Sequence, residues 1–187
     1  MKLATLAATA SLLLASSAFA GTVVPLDHFT GVSASDGARV TIRYGAVQQV
    51  TVIKGDPQIS RIEVQNGKLV VETCIHDCPR HYSLEVDVVM PNLETVHAND
   101  GGSIETQGSF PAQQQIEASA NDGGRVDARA IAAAHVDATA TDGGDLLIQP
   151  RQSMNARAED GGAVRYWGNP TVTSLKVEDG GTVHQES

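Results

Sequence analysis

The chain has 187 residues and a formal net charge of −9; it is 41% hydrophobic, yet holds only 3 Phe, 3 Tyr and 1 Trp. That length fits one domain, and the acidic balance argues against a phosphate-backbone binder, which needs clustered Lys and Arg. Few aromatics beside 18 Gly and abundant Ala argue against a core of large side chains, and the ordered apolar pattern argues against disorder.

Met1-Lys2 and the apolar stretch Leu3 to Ala15 lead to Ala18-Phe19-Ala20, the small-x-small site of a secretory signal peptide. The stretch falls short of the roughly 20 residues that span a bilayer. Residues 1–20 are therefore expected to be removed, leaving one domain over 21–187. Lys2 is the only charge lost, which takes the net charge from −9 to −10. No Cys stands directly after the cleavage site and no later run is long enough for a transmembrane helix, so a periplasmic or secreted protein without membrane insertion is expected.

Residues 47–90 read as ordinary strands. Val50-Thr51-Val52-Ile53 leads into a Lys54-Gly55-Asp56-Pro57 turn, and Ile62-Glu63-Val64 and Leu69-Val70-Val71 flank Asn66-Gly67, a two-residue hairpin signal. Tyr82, Leu84, Val86, Val88 and Met90 then alternate as far as Pro91. This segment is expected to form larger early coils, or a cap over one end of the glycine-rich region beyond it.

Between those strands lie Cys74 and Cys78, the only cysteines. Two readings stand. An exported protein favours a disulfide, worth about 2 kcal/mol for so small a ring. Alternatively Cys74, His76, Cys78 and His81 surround a soft metal such as zinc or copper.

From residue 100 a repeat takes over. Asp-Gly-Gly occurs five times: Asp100-Gly101-Gly102, Asp122-Gly123-Gly124, Asp142-Gly143-Gly144, Asp160-Gly161-Gly162 and Asp179-Gly180-Gly181, with Asp36-Gly37-Ala38 as a weaker copy. The flanks agree when aligned on the Asp. Two residues before it stand Ala98, Ala120, Ala140, Ala158 and Val177; four before it, Val96, Ala118, Ala138, Ala156 and Leu175; four after it, Ile104, Val126, Leu146, Val164 and Val183. Polar residues separate them, so the period is two and each unit reads as strand, sharp corner, strand. The glycines are expected to supply positive φ, and the Asp side chain to close the corner by accepting a backbone N–H.

One corner returning every 18–22 residues predicts an all-β fold, a parallel β-helix in which each coil stacks on the last over a narrow, Ala-lined interior. Antiparallel hairpins would give mixed turn signals at about half that interval. Stacking would align five carboxylates. These serve the corners themselves, or as an alternative bind calcium. Tyr166-Trp167 interrupts the polar rhythm and is a candidate ligand contact, since exposed aromatics stack on sugars or anchor protein partners.

The entry Phe29-Thr30-Gly31-Val32, the hairpin Asn66-Gly67-Lys68-Leu69, and Pro91-Asn92-Leu93-Glu94-Thr95-Val96 leading into glycine-punctuated units together resemble the head GIN domain family of auto-transporter adhesins, over about residues 26–187. The resemblance implies a right-handed parallel β-helix in an exported bacterial protein, and it brings no catalytic motif. With scattered histidines and no nucleophile motif, a non-enzymatic structural or adhesive module at the cell envelope is expected, with no cofactor and with a glycan or protein as partner. Exposed strand edges make an edge-to-edge oligomer a further expectation. The alternatives are a periplasmic metal-handling protein using the cysteine loop and, behind it, a polysaccharide-acting enzyme.

Overall fold

The computed structural model describes residues 21–187; the signal peptide expected at 1–20 lies outside the described residues. Fifteen strands and no helix occur among them: β1 (Thr22–Val24), β2 (Gly31–Ser35), β3 (Arg39–Tyr44), β4 (Gln49–Lys54), β5 (Arg61–Gln65), β6 (Lys68–Glu72), β7 (Glu85–Met90), β8 (Thr95–Ala98), β9 (Ser103–Gln107), β10 (Gln113–Ala120), β11 (Arg125–Ala140), β12 (Asp145–Ala158), β13 (Ala163–Trp167), β14 (Thr171–Val177) and β15 (Thr182–Glu186). The expected all-β class is what the protein has.

All the strands join one sheet of mixed pairing, organised as two ladders. The first runs β5-β6-β2-β8-β10-β11-β12-β14, and the second β1-β4-β7-β3-β9-β11-β12-β13-β15. Strands β11 and β12 are long and serve both, because their pairing slips between Asp127 and Ala132 and again between Ala133 and His135. Pairing is parallel except at one end of each ladder, where β5 lies antiparallel to β6, β4 to β7 and β1 to β4. The hairpin at Asn66-Gly67 forms as the sequence predicts, with Gln65 opposite Lys68 and both turn residues at positive φ.

The corners join strands of different ladders, so they are not hairpins. Asp100 (φ 48°) and Gly101 (φ 71°) occupy the two central positions of a turn that Gly102 closes by donating its N–H to the Asn99 carbonyl at 2.8 Å. Two central residues with positive φ define a type I′ turn, which favours Asp followed by Gly. The other corners repeat the geometry. Here the structure corrects the sequence reading twice: the backbone closes the turn rather than the Asp carboxylate, and only the first glycine of each pair has positive φ.

The second glycine is needed for space. A Cβ on Gly144 would lie 1.9 Å from the Ala120 carbonyl oxygen and 2.4 Å from its carbon. The same collision recurs at Gly102, Gly124, Gly162 and Gly181 against Ala34, Ala98, Ala140 and Ala158. Those carbonyls are occupied, since each accepts the N–H of the residue before the next Asp, as Thr141 to Ala120 at 3.1 Å. The first glycine then donates to the Asp carbonyl of the following corner, as Gly123 to Asp142 at 3.0 Å. Ala38 stands where the others have glycine because no Asp-Gly corner lies beneath it: its neighbour there is β6, whose chain leaves for the cysteine loop.

The aligned apolar positions are the inward columns of the ladders. Val32, Val96, Ala118, Ala138 and Ala156 form one, Ala34, Ala98, Ala120, Ala140 and Ala158 the next, and Val40, Ile104, Val126, Leu146 and Val164 the third; all are buried. They belong to a single core with Phe29, Leu69, Leu84, Met90 and Leu93. The backbone bonds between neighbouring strands bring the alanine carbonyls up against the corner, which is what makes the second glycine obligatory.

The two glycines of one corner should therefore respond differently. Gly143→Ala places its Cβ in open space and pays only for a left-handed backbone, about 1–2 kcal/mol. Gly144→Ala must displace backbone and should cost about 3 kcal/mol or more. Urea unfolding of both variants checks this; equal losses would contradict the crowding.

Candidate functional site

The outward residues of the second ladder form the most charged face. Parallel register puts Arg39, Ser103, Arg125 and Asp145 in one row, and Thr41, Glu105, Asp127, Leu147 and Arg165 in the next. Five of the nine arginines stand here: Arg39, Arg43, Arg125, Arg129 and Arg165. Asp145 receives both Arg125 and Arg165, the latter at 2.5 Å. Arg43 pairs with Asp87, while Arg39 and Lys54 approach Glu85 at 3.8 and 3.6 Å. With six cations against Glu85, Asp87, Glu105, Asp127, Asp145 and Glu186, the face is close to neutral on a chain of −9.

Asp127 shows how the rows tolerate like charges. It lies beside Glu105, and burial pushes its carboxyl up. Side-chain and backbone hydrogen bonds from Arg129, with the charges of Arg129 and Arg125, outweigh burial and hold it below the ordinary value. The Arg129 guanidinium also lies 4.8 Å over the Trp167 ring. Trp167 is half-buried rather than free, and Tyr166 packs partly against the core. Leu147 points outward in its row yet is only 3% exposed, covered by the longer side chains around it. At the far end of the face, Arg39, Thr41, Arg43, Ile53, Glu85, Val86 and Asp87 line an open recess of about 230 Å³.

Sequence reasoning treated the histidines as isolated, and the first ladder shows otherwise. His97 Nδ1 lies 2.5 Å from Ser119 Oγ, and His135 Nδ1 lies 2.7 Å from Ser153 Oγ, each across one strand pair. The signal was present in the repeat, since His97 and Ser119 share a position relative to the Asp. A serine beside an imidazole is the start of a nucleophile–base pair. No carboxylate is hydrogen-bonded to either ring among the described residues. The pairs sit on a strand face and read as cross-strand contacts. Neighbouring positions form a polar row in which Asn121 donates to Asn99 and Thr141 to Asn121.

The cysteines form the disulfide, Cys74 to Cys78 at 2.07 Å. Both sulfurs are thereby bonded to each other, and His76 and His81 stand exposed on the same loop. No group of three or more His, Cys, Asp or Glu poised to hold a metal ion occurs among the described residues. The five corner carboxylates are exposed, and the corners meet through backbone bonds.

Burial and the nearby Lys68 charge push the His97 imidazole below its ordinary 6.5, against the opposing pull of Glu117. The unfolded chain therefore takes up a proton that the folded protein resists. Stability is full above about pH 6.5 and falls as pH drops through that value toward the lower folded pKa. Between pH 7 and about 5 the slope of unfolding free energy should be shallower in His97→Gln, and denaturant titrations across that window measure it. Asp127 contributes in the same direction only below about pH 4, where carboxylates protonate.

Among solved structures, a putative adhesin from Bacteroides fragilis is similar with a TM-score of 0.52 and 16% identity, covering 91% of this chain and 98% of that one. A putative adhesin from Parabacteroides distasonis gives a TM-score of 0.41 at 12% identity, covering 90% and 98%. The first likeness is one of fold. No curated protein matches the chain. The family model described as "Putative auto-transporter adhesin, head GIN domain" matches residues 28–117 and 112–170, and the chain belongs to that family.

Proposed function

We propose that the protein is a non-enzymatic, adhesin-like binding module exported to the cell envelope. In this reading its repeating units are successive coils of one parallel β-solenoid, and the guanidinium-rich face of the second ladder meets the partner. Family membership supports the adhesin-like role. The observation that carries the choice of face is the gathering of five arginines and Trp167 on one side of an otherwise acidic chain. Planar guanidinium groups match carboxylates two bonds at a time, so the proposed partner bears carboxylates, as an acidic glycan or an acidic protein segment does. The corner carboxylates and strand registers then serve as scaffold, with no cofactor required. Export rests on residues 1–20, and no helix among the described residues is long and apolar enough to cross a membrane.

Metal handling by Cys74, His76, Cys78 and His81 would first require reduction of the disulfide. The exposed loop supports a stapling role instead.

Binding of polygalacturonate, a carboxylate-rich polysaccharide, tests the proposal. Affinity should fall as salt rises, and Arg39→Ala with Arg43→Ala should weaken it by about tenfold, the equivalent of 1.4 kcal/mol. An unchanged affinity in the double variant would remove this face from the proposal. Cleavage of the polymer by the purified protein would overturn the non-enzymatic reading.

A further inference from the structure

The two ends of the ladders are finished differently. At one end antiparallel strands close both ladders, and β5 presents Arg61 and Glu63, an ion pair at 3.3 Å. Charges along an edge strand discourage pairing with another chain. At the other end β14 and β15 pair only on one side, to β12 and β13, among the described residues. Every residue of β14 is exposed.

That edge is apolar. Val172, Leu175 and Val177 stand 40, 58 and 45% exposed, at the ends of columns whose inner members are buried. In its column Leu175 follows Ala118, Ala138 and Ala156, so the widest of these four side chains sits where no further strand covers it among the described residues. Thr171-Val172-Thr173-Ser174-Leu175 contains no charge and no proline, the two usual devices for blunting an edge.

We infer that this end is a self-association surface, which a second copy of the chain covers end to end about a two-fold axis. Three observations select that occupant. On the first ladder, head-to-tail stacking would set β14 against β5, an antiparallel strand carrying Arg61 and Glu63 rather than a continuing parallel edge. Another copy of the same end presents two edge strands at the same separation, with the same apolar residues, and so is complementary by symmetry. Charge agrees as well: the chain's −9 opposes contact between copies in general, and the run 171–175 carries none of that charge. Pairing β14 with its symmetry mate antiparallel about Leu175 sets Lys176 against Ser174 and brings no like charges face to face.

Residues 171–186 supply fewer than the roughly 20–30 residues per side of a standard interface. The association is accordingly a micromolar monomer–dimer equilibrium. It does not depend on the glycan reading, since it uses the end of the ladders and not their outward face.

Sedimentation equilibrium of the purified protein across a micromolar concentration series tests it. The unsubstituted protein should be dimeric at the upper end, and Leu175→Asp should raise the dissociation constant by about a hundredfold or more with an unaltered circular-dichroism spectrum. Leu175→Cys should give a disulfide-linked dimer on mild oxidation. A protein that stays monomeric throughout overturns the inference. So does a dimer that survives Leu175→Asp but is lost in Ile62→Asp at the other end, or an edge that takes up an added β-strand peptide without self-association.

Discussion

At each corner, the backbone of one repeat unit lies against the alanine carbonyl of the unit before it, too close for any side chain between. Ala120 shows the arrangement: its oxygen accepts the N–H of Thr141, and the same carbonyl faces Gly144. The contact sets the registers of both ladders, because every turn is fixed over its predecessor by two backbone bonds. It also fixes the composition. Glycine at the third corner position is a requirement of the backbone contact, and the buried alanine columns are filled without aromatic side chains.

Much of this was legible in the sequence, for a definite reason. The corner needs Asp-Gly for its dihedral angles and Gly for clearance, so its three residues cannot drift, and aligning on them placed Val96, Ala118, Ala138 and Ala156 in one column, and Ala98, Ala120, Ala140 and Ala158 in another, as the registers have them. The Asn66-Gly67 hairpin was equally visible, being local. What was not legible depends on partners far away in the chain. Nothing in Val50-Thr51-Val52 says that it pairs antiparallel with both β1 and β7, and a backbone-closed corner cannot be told from one closed by the Asp side chain by residue type alone. Trp167 looked available because its partner, Arg129, lies 38 positions away with no spacing signal. The histidines looked solitary because their serines are one repeat unit distant.

Stacking has an electrostatic consequence for the outward faces. Residues in a row repeat at ~4.8 Å, where two like unit charges in water repel by about 0.9 kcal/mol. On the second ladder the protein meets this by interleaving. Asp145 takes two arginines, and Glu105 and Asp127, which do fall side by side, are relieved by Arg129. The carboxylates thus hold the guanidinium groups in fixed positions, and the face is close to neutral where the rest of the chain is negative.

The single methyl group of Ala38 gives the fold a direction of growth. A tandem copy of a segment such as residues 103–124 carries its own clearance glycine and its own alanine carbonyl, so it can be threaded between existing layers without disturbing either. Duplication placed beneath the first corner meets a Cβ that has no room to give. Lengthening by duplication is therefore compatible with the glycine-bearing corners of this chain and not with the corner that carries Ala38.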